Sequence, residues 1–307
     1  FDSADIGEPH LGHIVENGLI QTVLYDRLLQ DGGLTVSIPA AIETVQADAE
    51  RVAVTLADGR RLEARLLVGA DGANSRVRAL CGIEVDQRGY GQSGLVGVIR
   101  TERPHGEVAR QRFLPDGPLA FLPLADGRCS IVWSQPTEQA ERRLALDEAA
   151  FCAELTAASA RMLGEVQGCG PRAAFPLQRL HARRYIAPRV ALIGDAAHVV
   201  HPLAGQGANL GFMDATVLAE EIERACRADR DIGGLGTLRR YERRRRGDNL
   251  LMQSTMDAFH NVFGSESPWL AVPRSLGFDL VDAAPPLKAF FMRRAMGAGP
   301  DLPALAR

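Results

Sequence analysis

No run of about 18 or more consecutive apolar residues occurs in the chain, so no segment reads as a membrane-spanning helix. Net charge is also small, −3 over 307 residues, which removes a global electrostatic basis for binding nucleic acid. Cysteine is sparse: the five, at 81, 129, 152, 169 and 226, are odd in number and lack Cys-x-x-Cys or other metal spacing. Reduced thiols are the simplest reading, as in a cytosolic protein. His198 and His201 stand three apart without a third ligand nearby, and His10, His13, His105, His181 and His260 form no constellation, so no metal is expected. Missing too is an opening strand, Gly-x-Gly-x-x-Gly and helix, the unit that cradles a dinucleotide pyrophosphate. The one match, Gly89-Tyr-Gly-Gln-Ser-Gly94, precedes a strand-like run from Leu95 to Arg100 where a phosphate loop would open a helix. The chain begins Phe1-Asp-Ser-Ala-Asp without an initiating Met.

What is present suffices for a globular enzyme. With 46% hydrophobic and 24% charged residues, the chain can bury a core for one large domain or two smaller ones. Its most informative segment is Val190-Ala-Leu-Ile-Gly-Asp-Ala-Ala-His-Val-Val-His-Pro-Leu-Ala-Gly-Gln-Gly-Ala-Asn-Leu-Gly211. An apolar strand runs to Gly194, and Asp195 sits at its carboxyl end. Pro202 and a Gly-rich turn then open a long apolar helix through Phe212 to Cys226. Glycines admit close approach of backbone N–H groups to a flat or anionic ligand, the helix N-terminus favours negative charge, and Asp195 can accept from hydroxyls. The bland reading is a strand-to-helix turn capped by Asp195, which needs fewer special residues than occur together here.

A second segment, Leu66-Leu-Val-Gly-Ala-Asp-Gly-Ala-Asn-Ser-Arg-Val-Arg78, reads as a buried strand ending at Asp71-Gly72. Asn74 or Ser75 then caps a helix to about Cys81. Asp-Gly alone is weak, since Asp58-Gly59 and Asp126-Gly127 lie between strand-like runs and read as hairpin turns. The helix and Arg78 set Asp71-Gly72 apart.

Together these segments resemble the Gly-Asp and Asp-Gly motifs of the class A flavin monooxygenases, the para-hydroxybenzoate hydroxylase family. The resemblance implies that Asp195, after Gly194, holds the ribityl chain of FAD, with Pro202 beside the isoalloxazine. It places Gly205, Gln206, Gly207, Ala208 and Asn209 near the N1 and O2 edge of that ring. Asp71, Gly72, Ser75 and Arg78 are implied to help hold FAD and receive the pyridine nucleotide. Gln21 falls where many relatives face FAD with arginine or glutamine, against the equal reading of an exposed helix residue.

The implied fold is mixed α/β (α+β): a Rossmann-like FAD-binding domain lacking its first βαβ unit, an inserted, mostly antiparallel β-sheet substrate domain, and a C-terminal helical region. The domain boundaries are expected at 1–88 and 184–228 for the two parts of the FAD domain, 89–183 for the sheet and 229–307 for the helical region. Hydrophobic patterning predicts a helix over Leu19 to Leu29. Strands are expected at 34–38, 41–47, 51–57, 61–68, 92–101, 108–114, 118–124 and 128–134, then a helix from about Glu138 to Leu163 and a strand from Phe175 to Arg183.

Gly12 to Gln21, Pro202 to Phe212 and the tail from Tyr241 resemble the ubiquinone-biosynthesis hydroxylases. That resemblance implies an enzyme that consumes NAD(P)H, works through a flavin C4a-hydroperoxide and hydroxylates the ring of a hydrophobic polyprenyl phenol. It also implies a cytoplasmic location, peripheral to the inner membrane if the tail docks there. The run Arg243 through Arg246 reads either as a solvated helix face or as a phosphate or lipid-headgroup patch. Pro286 to Met296 sets bulky apolar side chains beside cations, for docking on a membrane surface or other ubiquinone-pathway proteins, or for packing on the flavin domain. No catalytic acid, base or nucleophile is nominated. Without the opening Gly-rich unit, this chain itself is expected to hold FAD weakly and to turn over no substrate. The rival readings are a folded interaction module without flavin and a flavin hydroxylase of another small aromatic. A flavin halogenase is disfavoured because its Trp-x-Trp motif is absent and Trp133 and Trp269 lie far apart.

Overall fold

The computed structural model describes residues 2–201, 205–263 and 302–306, together with 289, 292 and 297. Most of Pro286 to Met296, and with it the proposed docking segment, therefore lies outside the described residues. In chain order the elements are α1 (Asn17–Gln30), β1 (Ile42–Ala47), β2 (Val52–Leu56), β3 (Arg61–Ala64), β4 (Leu67–Gly69), α2 (Arg76–Leu80), β5 (Val85–Thr101), β6 (Arg110–Leu114), β7 (Gly117–Pro123) and β8 (Cys129–Pro136). There follow α3 (Thr137–Leu144), α4 (Glu148–Ala158), β9 (Val166–Ala182), β10 (Ile186–Ala187), β11 (Val190–Leu192), β12 (His198–Val199), α5 (Gly207–Arg227) and α6 (Leu235–Phe263). Two compact units emerge, one holding Phe1–Leu34 and Gly91–Leu177, the other Thr35–Tyr90 and Gln178–Phe259. Up to Phe259 the units change after Leu34, Tyr90 and Leu177.

The first unit is built on an antiparallel sheet in the order β9, β5, β8, β7, β6. Strict alternation sends Leu119 and Phe121 of β7, and Cys129, Ile131 and Trp133 of β8, to one buried face, where Phe151 and Leu155 of α4 cover them. Gly89 to Gly94 runs inside β5, so the Gly-x-Gly-x-x-Gly match is strand and opens no helix. The helix expected over 138–163 is two helices. Asp147 accepts the N–H of Ala150 at 2.8 Å and starts α4 afresh, a local cap that outcompetes continuation. The expected strand at 34–38 does not form. It runs into Pro39, whose ring nitrogen has no N–H to donate to a ladder.

In the second unit, β1, β2 and β3 form an antiparallel sheet, with Asp58-Gly59 as the turn between β2 and β3. The strand expected over 61–68 is divided, and its second part, β4, joins a separate sheet in the order β10, β11, β4. There β4 and β11 pair in parallel, Leu67 opposite Val190 and Gly69 opposite Leu192, although more than a hundred residues separate them in sequence. Val77 of α2, Val190 and Leu192 of β11, Val217 and Leu218 of α5, and Leu238 and Tyr241 of α6 close the core around this pair. Tyr241 donates its hydroxyl to the carbonyl of Leu192 at 2.6 Å, which satisfies the buried phenol and locks α6 to β11. β12 pairs antiparallel with the end of β9, His198 opposite His181.

Candidate functional site

Because β4 and β11 are parallel neighbours, the loops that follow them leave the sheet at the same end. Asp71-Gly72 comes just after β4, and Gly194-Asp195 just after β11, so packing brings the two sequence motifs to one carboxyl edge. In open α/β sheets that edge is where ligands bind. Arg78 ties the loops together. Its guanidinium donates to the carbonyl of Ala73 at 2.7 Å and to that of Ala196 at 2.9 Å, from a position 9% exposed.

The two aspartates have different tasks. Asp71 is consumed by its own helix: it accepts the Ser75 hydroxyl at 2.5 Å and the Val77 N–H at 3.0 Å. Burial pushes its carboxyl up, but these donors prevail and hold its pKa below the ordinary value. Ser75, 2% exposed, in turn accepts the Arg78 N–H at 3.0 Å and caps α2 as expected. Asp195 is exposed and accepts no hydrogen bond among the described residues. Although the side chain reaches solvent, the chain crowded around it raises its pKa, while His198 pulls the other way. Of the two, Asp195 is the carboxylate open to a ligand.

Beyond Asp195 the chain returns into α5. Gly205 adopts φ +62°, a left-handed conformation that L side chains avoid, and sets the approach to the helix. Gln206 caps α5 without a side-chain bond to the helix backbone. The first intrahelical bond runs from the Leu210 N–H to the Gln206 carbonyl at 3.0 Å. The N–H groups of Gly207, Ala208 and Asn209 have no partner among the described residues and stand at the positive end of a 21-residue helix. Gly194, at φ +58°, and Gly211 meet backbone to backbone. A Cβ on Gly211 would lie 3.3 Å from the Gly194 Cα, so the glycine pair lets α5 sit directly on the Gly194-Asp195 turn. Pro202 lies outside the described residues, and Gln21 is exposed on α1, in the other unit.

Below the turn lies a buried polar cluster that sequence reasoning missed. Asp214, fully buried on α5, accepts the Gly194 N–H at 3.0 Å and faces His198 Nε2 at 2.6 Å through Oδ2. Its Oδ1 accepts from Arg245 Nε at 2.7 Å and Asn249 Nδ2 at 3.0 Å. The Arg243–Arg246 run is therefore not one solvated face: Arg245 is 4% exposed and points inward, and Arg244 pairs with Glu220 and Glu221. A signal was available, since Leu210, Asp214, Val217, Leu218 and Glu221 fall on one helical stripe, as do Leu238, Tyr241, Arg245, Asn249 and Gln253. Charged residues on an apolar stripe demand partners. Among the described residues no group of three or more His, Cys, Asp or Glu side chains could hold a metal, and the five cysteines are free.

A carboxylate able to accept, a helix N-terminus whose first N–H groups have no partner among the described residues, and a glycine-lined turn suit a ligand with hydroxyls and an electron-rich or anionic edge. The ribityl chain and isoalloxazine of a flavin have that chemistry.

Comparison with known proteins gives the same direction. The family model described as FAD binding domain matches residues 8–254. Ubiquinone hydroxylase UbiL of Rhodospirillum rubrum is 41% identical over 97% of this chain and 70% of its own length. The 3-demethoxyubiquinol 3-hydroxylase of Escherichia coli is 37% identical over 97% of this chain and 76% of that protein. Among solved structures, pqsL, a probable FAD-dependent monooxygenase from Pseudomonas aeruginosa, superposes with a TM-score of 0.68 at 28% identity, covering 80% of this chain and 70% of that one. Klebsiella pneumoniae HpxO, solved with FAD and uric acid, gives 0.73 at 21% identity over 93% of this chain and 72% of that one, a likeness of fold.

Proposed function

Because this chain belongs to the FAD-binding family of class A aromatic monooxygenases, we propose that it hydroxylates the aromatic ring of a polyprenylated phenol on the route to ubiquinone, with NAD(P)H as reductant. The observation that carries the reading is the meeting of both motifs at the carboxyl edge of the β4–β11 pair, with Asp195 open to a ligand and Asp71 closed by α2. The names of the 41% and 37% identical relatives supply the substrate class.

Bound FAD supplies the redox chemistry: hydride acceptance from NAD(P)H and delivery of one atom of O2 to the ring, with the other leaving as water. The chain's own residues bind and orient. Asp195 accepts from ribityl hydroxyls. The N–H groups of Gly207, Ala208 and Asn209, backed by the α5 dipole, stabilise negative charge at the ring edge of the reduced cofactor. Arg78 and Ser75 act behind them, holding the two loops at their separation.

Among the described residues no helix is long and apolar enough to cross a membrane. The proposal further takes the enzyme to work in the cytoplasm, meeting its hydrophobic substrate at the inner-membrane surface or beside other enzymes of the pathway through its C-terminal region. A clean deletion in a host without a redundant hydroxylase tests it. Loss of ubiquinone with accumulation of an under-hydroxylated polyprenyl phenol is expected, and unchanged quinone content would overturn the proposal.

A further inference from the structure

Asp214 faces the Gly194 N–H, His198, Arg245 and Asn249. It is fully buried in an apolar core, a setting that ordinarily expels a charge, yet each of its oxygens faces two polar partners. Burial pushes its carboxyl up, and the donors from His198, Arg245 and Asn249 reverse that and hold it below the ordinary range. The partners come from three places in the chain: Gly194 from the turn after β11, His198 from β12, and Arg245 and Asn249 from α6. A core needing only volume at this position would place an aliphatic residue there, as α5 does at Leu210, Val217 and Leu218 on the same stripe.

The partner that matters most is the Gly194 N–H. Gly194 immediately precedes Asp195 and holds φ +58°, so the orientation of its peptide group sets the backbone from which the Asp195 side chain leaves. Asp214 grips that peptide from inside, and the Gly194–Gly211 contact presses α5 on it from alongside. Arg245 and Asn249, one helical turn apart on α6, fix the opposite edge of the Asp214 carboxylate and so keep Oδ2 turned to the loop.

We infer that Asp214, braced by Arg245, is a positioning residue for the flavin: it presents Asp195 to the ribityl chain through the Gly194 N–H, without touching the cofactor. This rests on the assignment of Asp195 as a flavin contact. Neither Asp214 nor Arg245 is needed for any chemical step, so their effect is on cofactor affinity.

The test uses the whole chain in two measurements. Residue-resolved hydrogen exchange, without added FAD, reads the Gly194 amide directly. It is expected to be protected in the parent and at least tenfold less protected in Asp214→Asn, with Leu192 unchanged. A freely exchanging Gly194 in the parent overturns the inference whether or not FAD binds. Equilibrium titration with FAD, followed by flavin fluorescence, compares the parent with Asp214→Asn, Asp195→Ala and the double variant. Each single change is expected to weaken FAD tenfold or more, and the double variant to be little weaker than either, because both remove the same contact. Multiplying fold-changes, or an Asp214→Asn variant that binds like the parent, would mean Asp214 is packing alone. If Asp214→Asn does not fold, Arg245→Gln is read the same way, with a loss of threefold or more that vanishes in the Asp195→Ala background. A parent chain with a protected Gly194 that takes up no FAD counts against the flavin assignment and leaves the Asp214 grip on the turn standing.

Discussion

Replacing Arg78 by methionine separates two roles that the sequence cannot separate. Family resemblance casts Arg78 as a contact for FAD and the pyridine nucleotide, whereas the structure engages its guanidinium with the carbonyls of Ala73 and Ala196. Burial lowers its pKa and Asp71 counters this, but arginine remains charged in either case. A hydrogen bond from a charged donor contributes roughly 1.5–3 kcal/mol, and two sharing one side chain are less than additive. Arg78→Met is therefore expected to lower the unfolding free energy of the FAD-free chain by about 2–4 kcal/mol. Arg78→Lys, which keeps the charge but lacks the planar fork, is expected to lose about half of that. Urea unfolding followed by circular dichroism gives the numbers. A loss below about 0.5 kcal/mol in Arg78→Met would refute the strut. If FAD affinity nonetheless collapsed, the guanidinium would have to serve the ligand itself.

Three further outcomes follow from the geometry. Asp195→Ala should leave the FAD-free chain as stable as the parent, since the carboxylate accepts no hydrogen bond among the described residues, while weakening FAD about ten- to a hundredfold on titration; equal affinity would remove Asp195 from the site. Gly69→Ala should cost about 1–3 kcal/mol in denaturant unfolding. Its Cβ would fall 2.8 Å from Leu192 Cδ2 and 3.0 Å from Val77 Cγ1, between β11 and α2, and a neutral result would show that these two side chains yield freely. His181 is 4% exposed, with neither ring nitrogen hydrogen-bonded among the described residues, and is pushed down to about 4 by burial first and then by Arg246, His198 and Arg179. Its folded pKa lies below its unfolded one, so the unfolded chain binds the extra proton: stability is untouched above about pH 6.5 and falls by up to about 3 kcal/mol toward pH 4. His181→Leu should flatten that slope in unfolding titrations, and an identical slope in both proteins would assign it to other groups.

Much of the local structure was legible in the residues. Ser75 caps α2, Asp58-Gly59 and Asp126-Gly127 turn hairpins, and the β7 and β8 alternation marks one buried face. Each depends on groups within a few positions of one another, so spacing reveals it. The Gly-Asp and Asp-Gly motifs were legible for the same reason, being compact runs of residues that a tight turn or a cap requires. Where two local preferences compete, sequence pattern is less decisive: the Ala- and Glu-rich stretch over 138–163 reads as one helix, and Asp147 breaks it by capping a second.

The tertiary structure alone decided which aspartate is spent and which is available. Asp71 and Asp195 look alike as carboxylates after apolar strands, but α2 takes both oxygens of the first and nothing described takes those of the second. It also decided that β4 and β11 lie side by side, and that Asp214 meets Arg245 and Asn249, 31 and 35 positions further along, to hold the Gly194 turn. A helix-stripe pattern can say that such a carboxylate will be buried. Which donors reach it depends on how α5 and α6 pack, and that follows from the shape of the whole core, since a buried charge must be met by whatever the fold carries to it.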